Sequence, residues 1–149
     1  MNRRERVRMS EADAWQFLRQ PNVATVCTLN PDLTIHAVAL FYGFLDGRLA
    51  IHTKAKSQKV RNVLRNPTIT LLAEAGQEYT ELRGVQVVGR ATVFDDPALT
   101  RTLSADMNGR YGWNRQPDDI EQARKLHNRV VIAIDVDRLV SWNHRRLTD

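Results

Sequence analysis

The residues most able to do chemistry lie in one short segment, His52-Thr53-Lys54-Ala55-Lys56-Ser57-Gln58-Lys59. The segment follows a strand-like run and opens a helix-like run that continues through Arg65. Ser57 is a favourable N-cap residue, because its hydroxyl can accept a hydrogen bond from an amide of the first helical turn. Amides at a helix start carry partial positive charge, and three lysines lie beside them. This combination predicts a receptor for a phosphate group; a solvated basic helix start is the alternative.

Other types of reactive site are not evident in the chain. The four histidines are scattered, and no Cys/His pair has metal-ligand spacing. There is no P-loop and no Gly-x-Gly-x-x-Gly pattern. Cys27 lies in an apolar run without neighbouring cations, so we expect a buried structural thiol. An anion receptor without an acid–base set indicates that a bound cofactor carries the chemistry.

The elements that must hold this receptor are mostly strands. Periodicity predicts strands at 23–29, 34–44, 48–53, 68–73, 82–94, 129–136 and 139–144, and helices at 10–20, 57–65, 96–107 and 118–127. Asp46-Gly47 predicts a tight hairpin. Gly84 and Gly89 predict bends or bulges inside a long strand. Six or seven strands with few helices predict a mainly β fold, a closed antiparallel barrel rather than a Rossmann sheet.

Length and composition predict one globular domain, residues 10–149, after a basic N-terminal tail, residues 1–9. The chain has 149 residues, of which 42% are hydrophobic. No apolar run is long enough to cross a membrane and no secretory signal follows the basic N-terminus, so we expect a cytoplasmic protein.

The charge distribution gives weak support to nucleic-acid binding. Of the net charge of +5, residues 1–8 contribute +3, because they hold four arginines and one glutamate, and the other residues contribute +2. A nucleic-acid-binding fold usually places its charge on one face of the domain. We therefore expect no nucleic-acid partner; binding through the arginine-rich tail would be sensitive to salt.

Five segments carry a family resemblance. They are Val23 to Asp32, His36 to Tyr42, Asp46 to Asn62, Arg83 to Ala91 and Arg129 to Leu147. In this order they resemble the split-β-barrel flavin and deazaflavin oxidoreductases, the pyridoxamine 5'-phosphate oxidase-like superfamily, over about residues 10–146. The resemblance is greatest to the actinobacterial branch that uses the deazaflavin coenzyme F420.

One departure bears on the cofactor. Flavin-using oxidases of this superfamily have Ser-Arg-Lys at the helix start, where this chain has Ser57-Gln58-Lys59. The change removes one charge and a bidentate contact with the flavin phosphate. Ser-Gln-Lys is similar to the deazaflavin branch.

The resemblance implies a homodimer that binds F420 between two barrels and transfers a hydride between reduced F420 and a small organic acceptor. Conjugated enones, quinones or tetrapyrrole-like molecules are plausible acceptors by family analogy. Two alternatives stay open: an FMN-binding oxidase or reductase of the pyridoxamine phosphate oxidase type, and a flavin- or deazaflavin-binding protein without turnover. No catalytic residue is implied.

The resemblance also implies a cofactor site. Backbone groups near Val38 and Ala39 would bind the ring, the 57–59 segment would bind the phosphate, and Arg129 with Asn62 or Arg61 would bind the oligoglutamate tail. The expected cofactor-binding residues are His36, Val38, Ala39, His52, Thr53, Ser57, Gln58, Lys59, Asn62 and Arg129. Gly84 and Trp142 or His144 would reach the partner's site. Trp113 would either cover a planar substrate or pack on the barrel end.

Overall fold

The computed structural model describes residues 2–114 and 120–148. The strands are β1 (Ala24–Leu29), β2 (Ile35–Leu40), β3 (Gly43–Leu45), β4 (Arg48–Lys54), β5 (Thr68–Ala75), β6 (Arg83–Phe94) and β7 (Arg129–Asn143). The helices are α1 (Arg3–Val7), α2 (Glu11–Arg19), α3 (Gln58–Arg65), α4 (Pro97–Tyr111) and α5 (Ile120–Leu126), with short 3-10 helices at Tyr79–Glu81 and His144–Leu147. No helix in the described part of the chain is long and apolar enough to cross a membrane.

The seven strands form one antiparallel sheet in the order β2-β1-β5-β6-β7-β4-β3. The sheet curls into a half-barrel, and β2 and β3 are its two edges. The predicted mainly β, split-barrel fold is therefore confirmed. The expected closure is wrong for the described residues, because the two edge strands are not neighbours in the sheet.

Alternating burial along the strands places the main core inside the curl. Ala24 and Val26 of β1 are buried, and Phe17 and Leu18 of α2 pack against the same core. α3 packs against β1 and β6. Of the apolar stripe that its sequence predicts, Val60, Val63 and Leu64, the first two are buried, whereas Leu64 is exposed. A second, smaller core lies under α4, where Leu103, Met107, Ala50, Val131 and Ala133 are buried.

Tyr42 divides the long strand predicted at 34–44 into β2 and β3. Its side chain is fully buried, and its hydroxyl donates to the carbonyl of Leu18 at 2.6 Å. Its backbone amide donates to the hydroxyl of Tyr111 rather than to a strand partner. A tertiary contact from α4 therefore replaces the ladder at this position.

The two strands predicted at the C-terminal end are one strand, β7. A register shift against β6 between Val88 and Gly89 leaves Asp137 as the extra residue, so pairing continues past Asp137-Arg138. The bulge predicted at Gly89 is confirmed. Gly84 keeps regular register and instead has the ring of Trp142 directly over it.

The helix predicted to end at 107 continues to Tyr111 and ends at Gly112, which has a left-handed φ of 65°. Arg110 explains the extension, because it donates to the carbonyls of Leu18, Arg19 and Gln20. Trp113 stacks on Tyr111 with a centroid distance of 4.8 Å, so it packs on the barrel end in this structure.

The N-terminal segment includes a short helix that the sequence did not predict. α1 begins with a capping box between Asn2 and Glu5. It packs against the 3-10 helix at residues 144–147, and Arg146 donates to the carbonyl of Arg8.

We expect Gly89→Ala to lower the free energy of unfolding by about 1–3 kcal/mol through overpacking. A Cβ at Gly89 would lie 2.3 Å from the carbonyl oxygen of Asp135, a backbone atom that cannot move aside. Urea denaturation measures the change. Gly109→Ala in α4 is the control: its Cβ meets nothing within 4 Å, and it should gain about 0.5–1 kcal/mol. Equal effects of the two substitutions would contradict the bulge geometry.

Candidate functional site

A buried lysine lies at the start of α3. Lys59 is 8% exposed, and its ammonium group donates to the hydroxyl of Thr53 in β4 at 2.9 Å. In the described part of the chain Lys59 makes no salt bridge. Burial lowers the pKa of Lys59, and the positive charge of Arg129 lowers it further. The site therefore carries positive charge that no carboxylate among the described residues compensates.

Ser57 occupies the N-cap position of α3, but its side chain makes no capping hydrogen bond. The predicted capping role of its hydroxyl is therefore wrong. The hydroxyl oxygen is buried and has no hydrogen-bond partner among the described residues. An unsatisfied buried hydroxyl beside free helix-start amides is a group for which a ligand oxygen would be a suitable partner.

Asn62 anchors α3 to the sheet. It is fully buried, and its amide nitrogen donates at 3.0 Å both to the hydroxyl of Thr28 and to the side-chain oxygen of Asn30. Its side-chain oxygen accepts from Gln58 at 2.9 Å and from Arg65 at 3.1 Å. Asn62 and Gln58 thus use their side chains within the protein, and direct contact of either side chain with a cofactor stays a prediction.

Arg129, at the start of β7, is held between two elements. Its Nε donates to the carbonyl of Lys125 in α5 at 2.9 Å. One of its terminal nitrogens lies 3.2 Å from Nδ1 of His52 in β4 and donates to the His52 carbonyl at 3.5 Å. Desolvation by burial lowers the pKa of Arg129.

An open cleft of about 820 Å³ lies beside Arg129 and His52. It is lined by His52, Lys54, Ala55, Lys56, Arg124, Lys125, Leu126, His127, Asn128 and Arg129. Five of these residues are lysines or arginines, and no described lining residue is acidic. A cleft lined by charges of one sign concentrates ions of the opposite sign.

The structure brings together seven of the ten predicted site residues: His52, Thr53, Ser57, Gln58, Lys59, Asn62 and Arg129. The other three lie on the edge strand β2. His36 is paired with Thr28 of β1, and the hydroxyl of Thr28 accepts the hydrogen bond from Asn62. Nδ1 of His36 is buried without a hydrogen-bond partner among the described residues. Val38 shares the inner face with His36, whereas Ala39 lies exposed on the outer face.

Sequence reasoning missed the contribution of α5 to the cleft. Arg124, Lys125 and His127 line the cleft beside Lys54 and Lys56. The basic pair at 124–125 was visible as a charge signal, but its distance from the 52–59 segment depends on the pairing of β4 with β7. That pairing joins residues about 75 positions apart and has no local signature.

Comparisons with known proteins agree with this architecture. The model of a family described as pyridoxamine 5'-phosphate oxidase matches residues 11–143. A conserved hypothetical protein of Mycobacterium tuberculosis shares 31% sequence identity over 100% of this chain and 94% of its own, with a TM-score of 0.88. No curated protein matches the chain.

Two more distant solved structures share the fold. One, named F420 reductase, is 22% identical over 83% of this chain and 93% of its own, with a TM-score of 0.66. The other is an FAD-binding protein from Mesorhizobium loti, 16% identical over 90% of this chain and 94% of its own, with a TM-score of 0.67.

The half-barrel and its cationic cleft define the class of protein: a split barrel of the type that binds flavin-like cofactors. The chain belongs to the pyridoxamine 5'-phosphate oxidase family. Family membership suggests a cofactor of flavin type and does not distinguish among the members of that group.

We expect Lys59→Met to raise the free energy of unfolding of the ligand-free protein at neutral pH, because burial disfavours the charged form of Lys59. The folded-state pKa of Lys59 is below its unfolded value of 10.5, so the unfolded chain binds more protons between those two values. The free energy of unfolding of the wild type therefore rises with pH between the folded-state pKa of Lys59 and 10.5. Over this range the difference in free energy of unfolding between Lys59→Met and the wild type becomes smaller.

Urea denaturation of both proteins at pH 7 and pH 10 measures this difference. Lys56→Met, at an exposed position of the same segment, is the matched control and should change stability by no more than about 0.5 kcal/mol. An advantage of Lys59→Met that grows with pH would contradict the electrostatic explanation.

Proposed function

We propose that the protein is an F420-dependent oxidoreductase that transfers a hydride between reduced F420 and a small organic acceptor. The observation that carries this proposal is that the described residues lining the large cleft include five lysines and arginines and no acid; the cleft reaches Lys56, next to the start of α3. A ligand with one phosphate needs fewer charges than this cleft offers. A phosphate followed by a polyanionic tail matches the charge of the buried receptor and of the exposed rim together.

The groups at the helix start fit the phosphate of such a cofactor. Ser57 offers a hydroxyl that bonds to no described residue, Lys59 offers an ammonium group that pairs with no described carboxylate, and the first turn of α3 offers its free amides. Lys54, Lys56, Arg124 and Lys125 lie along the cleft toward which the oligoglutamate tail would extend.

Gln58 favours F420 over FMN. An arginine at this position would add a charge and a bidentate contact with phosphate. The amide of Gln58 instead bonds to Asn62 and stabilises the helix. The phosphate receptor is therefore weaker than in a flavin-using oxidase, and the tail contacts would supply the remaining affinity.

When bound, reduced F420 supplies the hydride, and the chain's residues hold and orient the reactants and exclude water. β2 suits the orienting role. Among the described residues it is an edge strand that pairs with β1 alone, so the backbone N–H and C=O groups of every second residue, and hence of either Val38 or Ala39, point away from the sheet. Such groups can hydrogen-bond the polar edge of a planar ring.

The proposed active form is a homodimer with the cofactor at the subunit interface. The outer face of β2, β1 and β5 supports this proposal, because eight neighbouring positions carry no charge: Ile35, Ala37, Ala39, Thr25, Cys27, Leu29, Thr70 and Leu72. Ile35 is 67% exposed there. An uncharged surface across three strands is typical of a protein interface.

Cys27 belongs to this face and is partly rather than fully buried, contrary to the expected buried thiol. Desolvation raises the pKa of Cys27, which keeps it protonated and a poor nucleophile. Its surroundings therefore agree with a packing role on this face.

F420 titration followed by its fluorescence tests the proposed cofactor. We expect Lys59→Ala to weaken binding by about 10- to 100-fold, the equivalent of losing a hydrogen bond to a charged group. Arg90→Ala, an exposed arginine of β6 outside the cleft, is the matched control and should bind like the wild type. Tighter binding of FMN than of F420 would favour the FMN-binding oxidase or reductase. F420 binding without turnover of any acceptor would favour a deazaflavin-binding protein without turnover.

We expect Ile35→Asp to convert a dimer into a monomer, because it places a charge on the most exposed large hydrophobic residue of the uncharged face. Sedimentation velocity of the purified protein measures the oligomeric state. Leu64→Asp, on α3, alters a similarly exposed apolar residue (69% exposed) and should leave the dimer intact. A monomeric wild type would exclude the proposed assembly.

A further inference from the structure

The guanidinium group of Arg129 is fixed from two directions before any ligand enters the cleft. Nε donates to the Lys125 carbonyl, and a terminal nitrogen lies at hydrogen-bond distance from the His52 ring. The backbone around Arg129 is also constrained. Asn128 has a left-handed φ of 59°, a conformation that Asn tolerates better than most residues, and its carbonyl accepts from the amide of Ala55 at 2.8 Å.

The pairing of β4 with β7 explains why His52 meets Arg129. Lys54 is opposite Arg129 and His52 is opposite Val131, so the side chains of His52 and Arg129 are diagonal neighbours on one face of the sheet. This face is the one on which α4 packs, and it borders the cleft.

The chemistry of the contact assigns the protonation state of His52. A guanidinium group has only donors, so the ring nitrogen that faces it must present a lone pair. Nδ1 of His52 is therefore unprotonated, and the ring proton is on Nε2. His52 therefore accepts a hydrogen bond from Arg129 through Nδ1. Among the described residues, the second terminal nitrogen of Arg129 remains available to donate to another group.

We propose that His52 is a positioning residue, which holds the Arg129 guanidinium in place for an anionic group of the ligand and does not bind that group itself through Nδ1. The inference deepens the proposed function and rests on it in one respect, that the cleft binds an anion. It assigns to His52 a different role from the direct cofactor contact that the family resemblance implies.

The benefit of such an arrangement is preorganisation. An unrestrained arginine side chain loses rotamer freedom when it binds, and this loss reduces affinity. The contacts with His52 and Lys125 remove that freedom in advance. Arg129 also lines a smaller neighbouring cleft, of about 310 Å³, so an unrestrained guanidinium would have a second direction available.

Nitrogen NMR of the ligand-free protein tests the contact directly. At neutral pH, two-bond correlations of the His52 ring should show the Nε2–H tautomer. The Arg129 Nε–H signal should be sharp and slowly exchanging in the wild type and in His52→Asn, whose amide oxygen replaces Nδ1 as acceptor. It should broaden in His52→Leu. A His52 ring that carries a proton on Nδ1 overturns the inference.

A double-mutant cycle tests the effect on binding. We expect His52→Leu to weaken F420 binding by about tenfold, the scale of one hydrogen bond to a charged group. His52→Asn should retain most of the affinity. In an Arg129→Met background, His52→Leu should have no further effect. Equal losses in the two backgrounds overturn the inference, because His52 would then act independently of Arg129.

Inorganic pyrophosphate, used as a second probe by calorimetry, separates this inference from the proposed function. If the wild type binds pyrophosphate but not F420, and the cycle is non-additive for pyrophosphate, the cofactor assignment fails and the positioning role stands. If the wild type binds neither probe, Arg129 receives no anion and both proposals fail.

Discussion

The position of α3 depends on one buried amide. Asn62 has no exposed surface, and all four of its side-chain hydrogen bonds go to other protein groups, two on β1 or the turn after it and two on α3 itself. A buried amide in this situation tolerates little displacement, because each lost bond leaves an unsatisfied polar group in a medium of low dielectric constant. The direction of α3, and with it the position of its free amides and of Lys59, follows from this network.

Much of the fold could be predicted from local patterns. The strand predicted at 23–29, the helix predicted at 10–20 and the Asp46-Gly47 hairpin are each determined by neighbouring residues, and the structure confirms them. The errors share a different cause. Tyr42 interrupts a strand because Tyr111 bonds its backbone, and α4 extends past Asn108-Gly109 because Arg110 caps the end of α2. These contacts join residues about 70 to 90 positions apart, which no periodicity records.

In the candidate site, too, the features set by neighbouring residues could be predicted and those set by distant contacts could not. Residues 52–59 were visible because strand end, lysines and helix start are contiguous in the sequence. The roles of individual side chains were not visible, since they depend on geometry: Ser57 occupies the cap position without making the capping bond, and Gln58 turns back to Asn62. The part of the cleft formed by α5 becomes evident only when β4 is paired with β7.

The uncompensated charge of Lys59 links ligand supply to the lifetime of the protein. A buried cation that pairs with no described carboxylate makes the ligand-free protein less stable, and an anion that binds there would offset that cost. Because such a ligand binds the folded state alone, it lowers the unfolded population by the factor 1 + [L]/Kd. Cellular proteases act on that population. The amount of protein that accumulates would therefore follow the concentration of its ligand, without a dedicated regulator.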